Sequence, residues 1–107
     1  MKTISTIELQ QHLAAEPGLL LLDVRTPEEF LEVHVPQARN VPLDELQPDA
    51  LSLSKEQPVY LICRTQQRSF MAAEEFARHG FTQLVVVEGG TMAWVQANLP
   101  VACGEDK

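Results

Sequence analysis

Residues 58–80, with the sequence PVYLICRTQQRSFMAAEEFARHG, decide the fold because they put a buried strand directly before a helix. Residues 58–63 form a continuous apolar run, which is typical of a strand buried on both faces, as in a parallel sheet. From Arg68 to His79 the apolar residues recur at helical spacing, and Gly80 follows where a left-handed C-terminal cap belongs. The segment therefore predicts a strand–loop–helix unit with Cys63 at the carboxyl end of the strand.

The same alternation continues on both sides of this segment. Capping boxes mark two helix starts, Ser5 with Glu8 and Thr26 with Glu29. The predicted strands are 19–24, 40–42, 58–63 and 84–87. The predicted helices are 5–16, a short one from 26 that Val35-Pro36 interrupts, 43–51, 68–79, and one after Gly89-Gly90 that Pro100 ends. This order predicts an α/β domain with a mainly parallel central sheet of about five strands and helices on both faces.

Length and charge limit the classes of function. The chain has 107 residues, which predicts one domain over 1–107 with a flexible tail after about residue 100. Fifteen acidic residues against eight basic ones give a net charge of −7, which disfavours nucleic-acid binding. Residues 1–16 lack an apolar leader, and the longest aliphatic run is only Leu19–Leu22. We therefore expect a cytoplasmic protein without a membrane partner.

The two cysteines, Cys63 and Cys103, are too few for a disulfide framework, and with the scattered histidines they match no zinc spacing. Cys63 stands apart because backbone N–H groups of a strand-to-helix loop, with the following helix N-terminus, form a cradle for an anion. Such a cradle, together with Arg64 and Arg68, favours a reactive thiolate beside a site for a small oxyanion. A cysteine at a strand end is also often only a small buried hydrophobe, and the local pattern leaves both interpretations open.

Four motifs, in order along the chain, resemble the single-domain rhodanese (thiosulfate sulfurtransferase-like) family. Residues 22–30, LDVRTPEEF, resemble the family pattern D-V-R-x-x-x-E-[FY], and 34–42, HVPQARNVP, resemble G-H-I-P-G-A-x-N-I-P without its first glycine. Residues 63–69, CRTQQRS, resemble the active loop C-R-x-G-x-R-[SA]. Glu88-Gly89-Gly90 with Trp94 resembles the ending G-G-x-x-x-W. The match covers most of the chain and implies a rhodanese-like fold.

The resemblance implies a sulfurtransferase that needs no metal or organic cofactor. Cys63 would be the catalytic nucleophile, which takes sulfur from a small anionic donor such as thiosulfate and carries it as a persulfide. A thiol, a small sulfur-carrier protein or cyanide would accept that sulfur. The residues implied to bind substrate are those of the loop, Arg64, Thr65, Gln66, Gln67 and Arg68.

Three positions depart from the family pattern, because Val33 and Gln37 stand where glycines are usual and Gln66 replaces the glycine of the active loop. If the position of Gln66 requires a positive φ, glutamine costs about 1 kcal/mol there, or the loop takes another shape. The altered loop can therefore change which substrate the site prefers.

Two other functions compete with free sulfur transfer. In one, the domain is a persulfide carrier or interaction module that works with a protein partner and uses thiosulfate poorly. In the other, it is a cysteine-loop phosphatase or arsenate reductase. Cys63 and Arg68 enclose four residues, one fewer than the C-x-x-x-x-x-R loop of cysteine-dependent phosphatases, and no aspartate follows in the loop or the early helix to act as a general acid. The loop length favours sulfur chemistry.

Other notable side chains are interpreted as structural. We expect Asp23 and Arg25 to form an ion pair at a strand end, and His34 to be packed and hydrogen-bonded. Trp94 is expected in the core, and Cys103 is interpreted as incidental. The role of Glu88, which follows a buried strand, is left open.

Overall fold

Within residues 1–104, which the computed structural model describes, five parallel strands form one sheet in the order β1-β5-β4-β2-β3. The strands are β1 (Lys2–Ile4), β2 (Leu21–Asp23), β3 (Arg39–Asn40), β4 (Val59–Ile62) and β5 (Leu84–Val87). The helices are α1 (Thr6–Ala15), α2 (Pro27–Glu32), α3 (Gln67–Arg78) and α4 (Gly90–Gln96). The predicted α/β fold class is confirmed, with every strand pair parallel.

The sheet carries one core on each face, because β4 and β5 are buried along their whole length as predicted. One core joins the sheet to α3 through Leu22, Leu61, Val86, Ala72, Ala73 and Phe76. The other joins it to α1 and α4 through Leu21, Ile62, Val85, Leu9, Leu13 and Trp94. Cys63 belongs to the first of these cores. The thiol thus lies within a buried core of the molecule.

Both predicted capping boxes are present. Ser5 Oγ accepts from the N–H of Glu8 at 3.1 Å, and Glu8 accepts in return from the N–H of Ser5 at 2.9 Å. Thr26 and Glu29 make the same reciprocal pair at the start of α2. These caps satisfy backbone donors that a helix start otherwise leaves without partners.

Three local predictions differ from the structure. The helix predicted at 43–51 is two 3-10 turns, Leu43–Glu45 and Pro48–Leu51, because proline within a helix removes an N–H donor and clashes with the preceding turn. The strands predicted at 19–24 and 40–42 are ordered as strands only over β2 and over Arg39–Asn40. The edge strand β1 was not predicted, because only one of its three residues is buried and the segment carries almost no periodic signal.

The segment after Pro100 is partly bonded to the domain. Ala102 exchanges two backbone hydrogen bonds of 2.9 Å with His34. Residues 105–107, which belong to the tail predicted to be flexible, lie outside the described residues. In the described part of the chain, each helix is too short or too polar to cross a membrane.

An ion pair ties α2 to the start of α3. Arg68 donates from Nη1 and Nη2 to the two carboxylate oxygens of Glu29 at 2.7 and 2.9 Å. Both side chains are about a third exposed. The hydrogen bonds from Arg68 lower the pKa of the Glu29 carboxyl to about 2. This pair fixes the position of α2 relative to the loop that contains Cys63.

We predict that Glu29→Gln lowers the free energy of unfolding by about 1 kcal/mol at pH 7, since a partly exposed pair is weakened by solvent. The glutamine oxygen can keep the capping box with Thr26, so the change removes the charge and one of the two hydrogen bonds from Arg68. Because the folded-state pKa is depressed, the contribution is complete above the ordinary value of 4.5 and disappears as the pH falls towards about 2. Urea denaturation of both proteins from pH 7 to pH 2 measures it.

Glu28→Gln is the matched control, because it removes the same charge from the same helical turn and leaves Arg68 paired. Equal effects of the two substitutions on the free energy of unfolding would contradict the stabilising role of the Glu29–Arg68 ion pair. An effect of Glu29→Gln that does not shrink below pH 4 would contradict it as well.

Candidate functional site

Cys63 directly follows β4 at the carboxyl edge of the sheet, and it is only 1% exposed. Its Sγ accepts a hydrogen bond of 3.3 Å from the backbone N–H of Ser69, which lies in the first turn of α3. An N–H that points at sulfur from a helix N-terminus stabilises a thiolate more than a thiol. The cysteine therefore lies in the kind of environment that activates a sulfur nucleophile.

The loop that begins at Cys63 is pressed against the start of α4. The carbonyl oxygen of Cys63 accepts from the N–H of Thr91 at 2.8 Å, and that of Arg64 accepts from Met92 at 3.1 Å. Gly90 lies between these contacts with a φ of +59°. A Cβ atom at Gly90 would lie 2.4 Å from the carbonyl oxygens of Cys63 and Thr65. Only glycine can occupy this position without displacing the loop.

Gln66 fastens the middle of the loop to the turn before α4. Its side-chain oxygen accepts from the N–H of Gly89 at 2.9 Å, and because that N–H can only donate, the oxygen and not the nitrogen must face it. The φ of Gln66 is −165°, which is extended backbone, so the cost expected for a positive φ does not arise. The sequence marked Gln66 as a departure from the family pattern, but the partner Gly89 was missed because it lies 23 residues away.

The two arginines of the loop differ in whether their side chains are paired with a carboxylate. The guanidinium of Arg68 donates two hydrogen bonds to Glu29, and this pairing raises the pKa of Arg68. Arg64 is exposed, and its side chain makes no hydrogen bond or ion pair with residues 1–104. Thr65 and Gln67 are exposed as well. The five residues predicted to bind substrate are therefore brought together in one loop, and Arg64 is its available cation.

A cleft of about 300 Å³ opens beside the loop. Its lining includes Arg64 from the loop, Val33 after α2, and Thr91, Met92 and Val95 of α4. Cys63 itself is not in this lining, which fits its near-complete burial. The cleft has room for a molecule considerably larger than a small oxyanion, and its charged lining includes Glu29 and Glu32 as well as Arg25 and Arg64.

A buried ion pair supports the floor of the cleft. Arg25 is 4% exposed and donates from Nε and Nη2 to the carboxylate of Asp23, and also to the carbonyl oxygen of Val33 at 2.7 Å. Asn40 donates to the carbonyl oxygens of Asp23 and Arg25. The predicted ion pair is thus present, and it joins β2 to the segment after α2.

The other side chains expected to have structural roles are His34, Trp94 and Cys103, and the first two are packed and hydrogen-bonded within the domain. The His34 ring stacks on Phe30 with centroids 3.7 Å apart, and its Nδ1 lies 2.7 Å from the Phe30 carbonyl oxygen. Trp94 is buried and donates to the Pro100 carbonyl oxygen at 2.7 Å. Cys103 is exposed in the C-terminal segment. Among residues 1–104, no cluster of three or more histidine, cysteine or carboxylate side chains is placed to hold a metal ion.

Glu88 has a contact that its sequence did not indicate. It is exposed, and its carboxylate accepts from the Thr3 hydroxyl at 2.7 Å. Since Thr3 belongs to β1 and Glu88 follows β5, this hydrogen bond joins the edge strand to the end of its neighbour.

Residues 5–97 match the family model described as a rhodanese-like domain. A protein of Bacillus subtilis named "Putative sulfurtransferase YtwF" is 36% identical over 94 residues, which are 88% of this chain and 90% of that protein. A protein of Allochromatium vinosum named "Sulfurtransferase" is 29% identical over 102 residues, which are 95% of this chain and 95% of that protein.

The similarity extends to solved structures and to longer proteins. The crystal structure of a rhodanese-like domain protein from Staphylococcus aureus matches with a TM-score of 0.79 and 34% identity, over 88% of this chain and 91% of that one. The chain spans about half the length of other curated relatives. One is the "Putative sulfur carrier protein YrkF" of Bacillus subtilis, 33% identical over 85% of this chain and 49% of that protein. The chain belongs to the rhodanese-like domain family of sulfurtransferases and sulfur carriers.

Proposed function

We propose that the protein is a thiosulfate sulfurtransferase with Cys63 as its nucleophile. The observation that carries the proposal is the hydrogen bond from the Ser69 N–H to Cys63 Sγ, at the end of a central strand and the start of a helix. A thiolate is the reactive form of cysteine, and this contact favours it. Membership of the rhodanese-like family supports the choice of sulfur over phosphorus chemistry.

The reaction proceeds in two displacements. The Cys63 thiolate attacks the outer sulfur of thiosulfate, a new S–S bond forms, and sulfite leaves with the electron pair of the old S–S bond. Cys63 then carries a persulfide anion. In the second step an acceptor thiolate attacks the terminal persulfide sulfur, takes it as its own persulfide, and returns Cys63 to a thiolate. Charge and electrons balance in both steps, and no redox partner is required.

The loop residues have separate tasks in this proposal. Arg64 is exposed and lines the cleft, which supports a role in holding the anionic end of the donor. Arg68 is paired with Glu29, so it positions the loop and adds positive charge rather than contacting the donor directly. Thr65, Gln66 and Gln67 shape the loop beside the sulfur, whose one hydrogen bond from residues 1–104 comes from the Ser69 N–H.

A second candidate is a sulfur carrier that receives its sulfur from, or gives it to, a protein. It is favoured by the similarity to YrkF, which is named as a putative sulfur carrier protein. The same cysteine would be used, and the two candidates differ in how fast free thiosulfate loads it. Slow loading by thiosulfate together with fast loading by a persulfidated protein would favour the carrier.

The first test follows sulfur on the intact protein. After incubation with thiosulfate, mass spectrometry should show an adduct of one sulfur atom that disappears when a thiol acceptor is added. Cys63→Ser should abolish the adduct, because it removes the nucleophile. Cys103→Ser is the matched control and should leave loading within about two-fold of the unsubstituted protein. An adduct that survives the first change and is lost with the second would overturn the assignment.

A second test concerns Arg64. Arg64→Gln should raise the KM for thiosulfate about 3- to 5-fold, as expected for losing an exposed ion pair, with little change in kcat. Added salt should raise the KM of the unsubstituted protein more than that of the variant, because exposed charges are screened over about 8–10 Å. Steady-state kinetics at two salt concentrations measure both effects.

Arg78→Gln, at the far end of α3, is its control because it changes the net charge equally. An equal rise in KM for both variants would mean that only overall charge matters.

A third test concerns the fastening of the loop. Gln66→Met keeps the length of the side chain but removes the acceptor for the Gly89 N–H. The loss of one hydrogen bond should lower the rate constant of sulfur loading about 3- to 10-fold, because the loop is held less precisely. Stopped-flow or quenched loading by thiosulfate measures the rate. Gln11→Met on the exposed face of α1 is the control and should have no effect on the loading rate. A Gln66→Met protein that loads at the normal rate would refute the role of the Gln66–Gly89 hydrogen bond in holding the loop.

A further inference from the structure

His79, which directly follows α3, has a carboxylate beside each of its two ring nitrogens. Nδ1 lies 2.8 Å from a carboxylate oxygen of Asp49, which belongs to the 3-10 turn Pro48–Leu51. Nε2 lies 3.2 Å from a carboxylate oxygen of Glu75, one turn earlier in α3. Because Asp49 and His79 are 30 residues apart, the imidazole ring joins two separate segments of the chain.

The two contacts together require a protonated ring. Hydrogen bonds from Lys55 lower the pKa of the Asp49 carboxyl, and hydrogen bonds from Arg78 lower that of Glu75, so both groups are ionised at neutral pH. An ionised carboxylate can only accept a hydrogen bond, and a neutral imidazole has a single N–H to donate. Both hydrogen bonds can therefore form at once only when the ring is an imidazolium.

The charged groups that face His79 come from both segments. Lys55 donates to the other oxygen of Asp49 at 2.8 Å and also to the carbonyl oxygen of His79. Arg78 donates to the other oxygen of Glu75. The rest of the groove around the ring is lined by uncharged residues, Leu46, Gln47, Pro48 and Ala50. Each carboxylate is thus shared between His79 and one permanent cation, and only the contribution of His79 changes near neutral pH.

We propose that His79 is a pH-dependent tie between the 3-10 turn Pro48–Leu51 and the end of α3. While the ring is protonated it donates to both carboxylates, and once it is neutral it can donate to only one of them. The turn is then held less firmly. This matters for the domain because Leu51 packs against the core that contains Cys63. The inference goes beyond the proposed function and requires no sulfur chemistry.

The sign of the pH dependence follows from the direction of the pKa shift. The hydrogen bond to Asp49 raises the pKa of His79 above its ordinary value of 6.5. The tie therefore contributes fully to the free energy of unfolding below pH 6.5, and the contribution is lost as the pH rises through the folded-state value. Urea unfolding from pH 5.5 to pH 9.5 should show a lower midpoint for His79→Gln at low pH, and the difference should shrink as the pH rises.

His12→Gln is the matched control for this measurement. The His12 ring lies 2.9 Å from the Tyr60 hydroxyl, which can accept as well as donate, so that contact does not require a protonated ring. Its effect on the unfolding midpoint should change less with pH than the effect of His79→Gln. A His79→Gln effect that stays constant or grows as the pH rises would overturn the proposal.

Nuclear magnetic resonance of the His79 ring protons tests the bridge directly. The ring should titrate with a midpoint above 6.5, and Asp49→Asn and Glu75→Gln should each lower that midpoint. Glu74→Gln removes an exposed carboxylate from the same helix and should leave the midpoint nearly unchanged. A ring that titrates at or below 6.5 would refute the inference. An unchanged midpoint in Asp49→Asn would refute it as well, because the ring would then interact only within its own helix.

Discussion

The close contact between the cysteine loop and the start of α4 is the constraint on which the site depends. At Gly90 the backbone of α4 lies so near the loop carbonyl groups that even a methyl group would collide with them. Two hydrogen bonds from the N–H groups of Thr91 and Met92 hold the loop in that position. Because the carbonyl oxygens of Cys63 and Arg64 are used there, the loop has a defined path from β4 to α3, and the Ser69 N–H meets the sulfur at its end.

Side-chain contacts reinforce this backbone frame from two sides. Gln66 bonds to Gly89 on the side of α4, and Arg68 pairs with Glu29 on the side of α2. The second contact also changes the electrostatics, since it pairs Arg68 with a carboxylate, whereas the Arg64 side chain has no hydrogen-bond or ion-pair partner in residues 1–104. A net charge of −7 would repel a dianion at long range, so an available local cation matters more here than in a basic protein.

The frame is built from pieces that are far apart in the chain. The loop follows β4, the turn at Gly89 follows β5, and Glu29 lies in α2, yet all meet at one edge of the sheet. Parallel strands cause this, because their carboxyl ends all lie at the same edge and each loop there leads into a helix. The cleft lies at this edge too, where a ligand can contact several loops at once.

The sequence by itself determined the fold class, the two capping boxes, the buried strands β4 and β5, and the position of Cys63 in a strand-to-helix loop. These follow from local patterns of apolar residues and helix caps, which act over a few residues. It did not determine β1 or the 3-10 turns at 43–51, where short segments carry little periodicity. Only the tertiary structure decided that Gln66 is unstrained and bonded to Gly89, and that Arg68 is paired with Glu29. The two pairings join a side chain to a backbone N–H 23 residues away and to a side chain 39 residues away, and no local pattern encodes which partner a side chain will find.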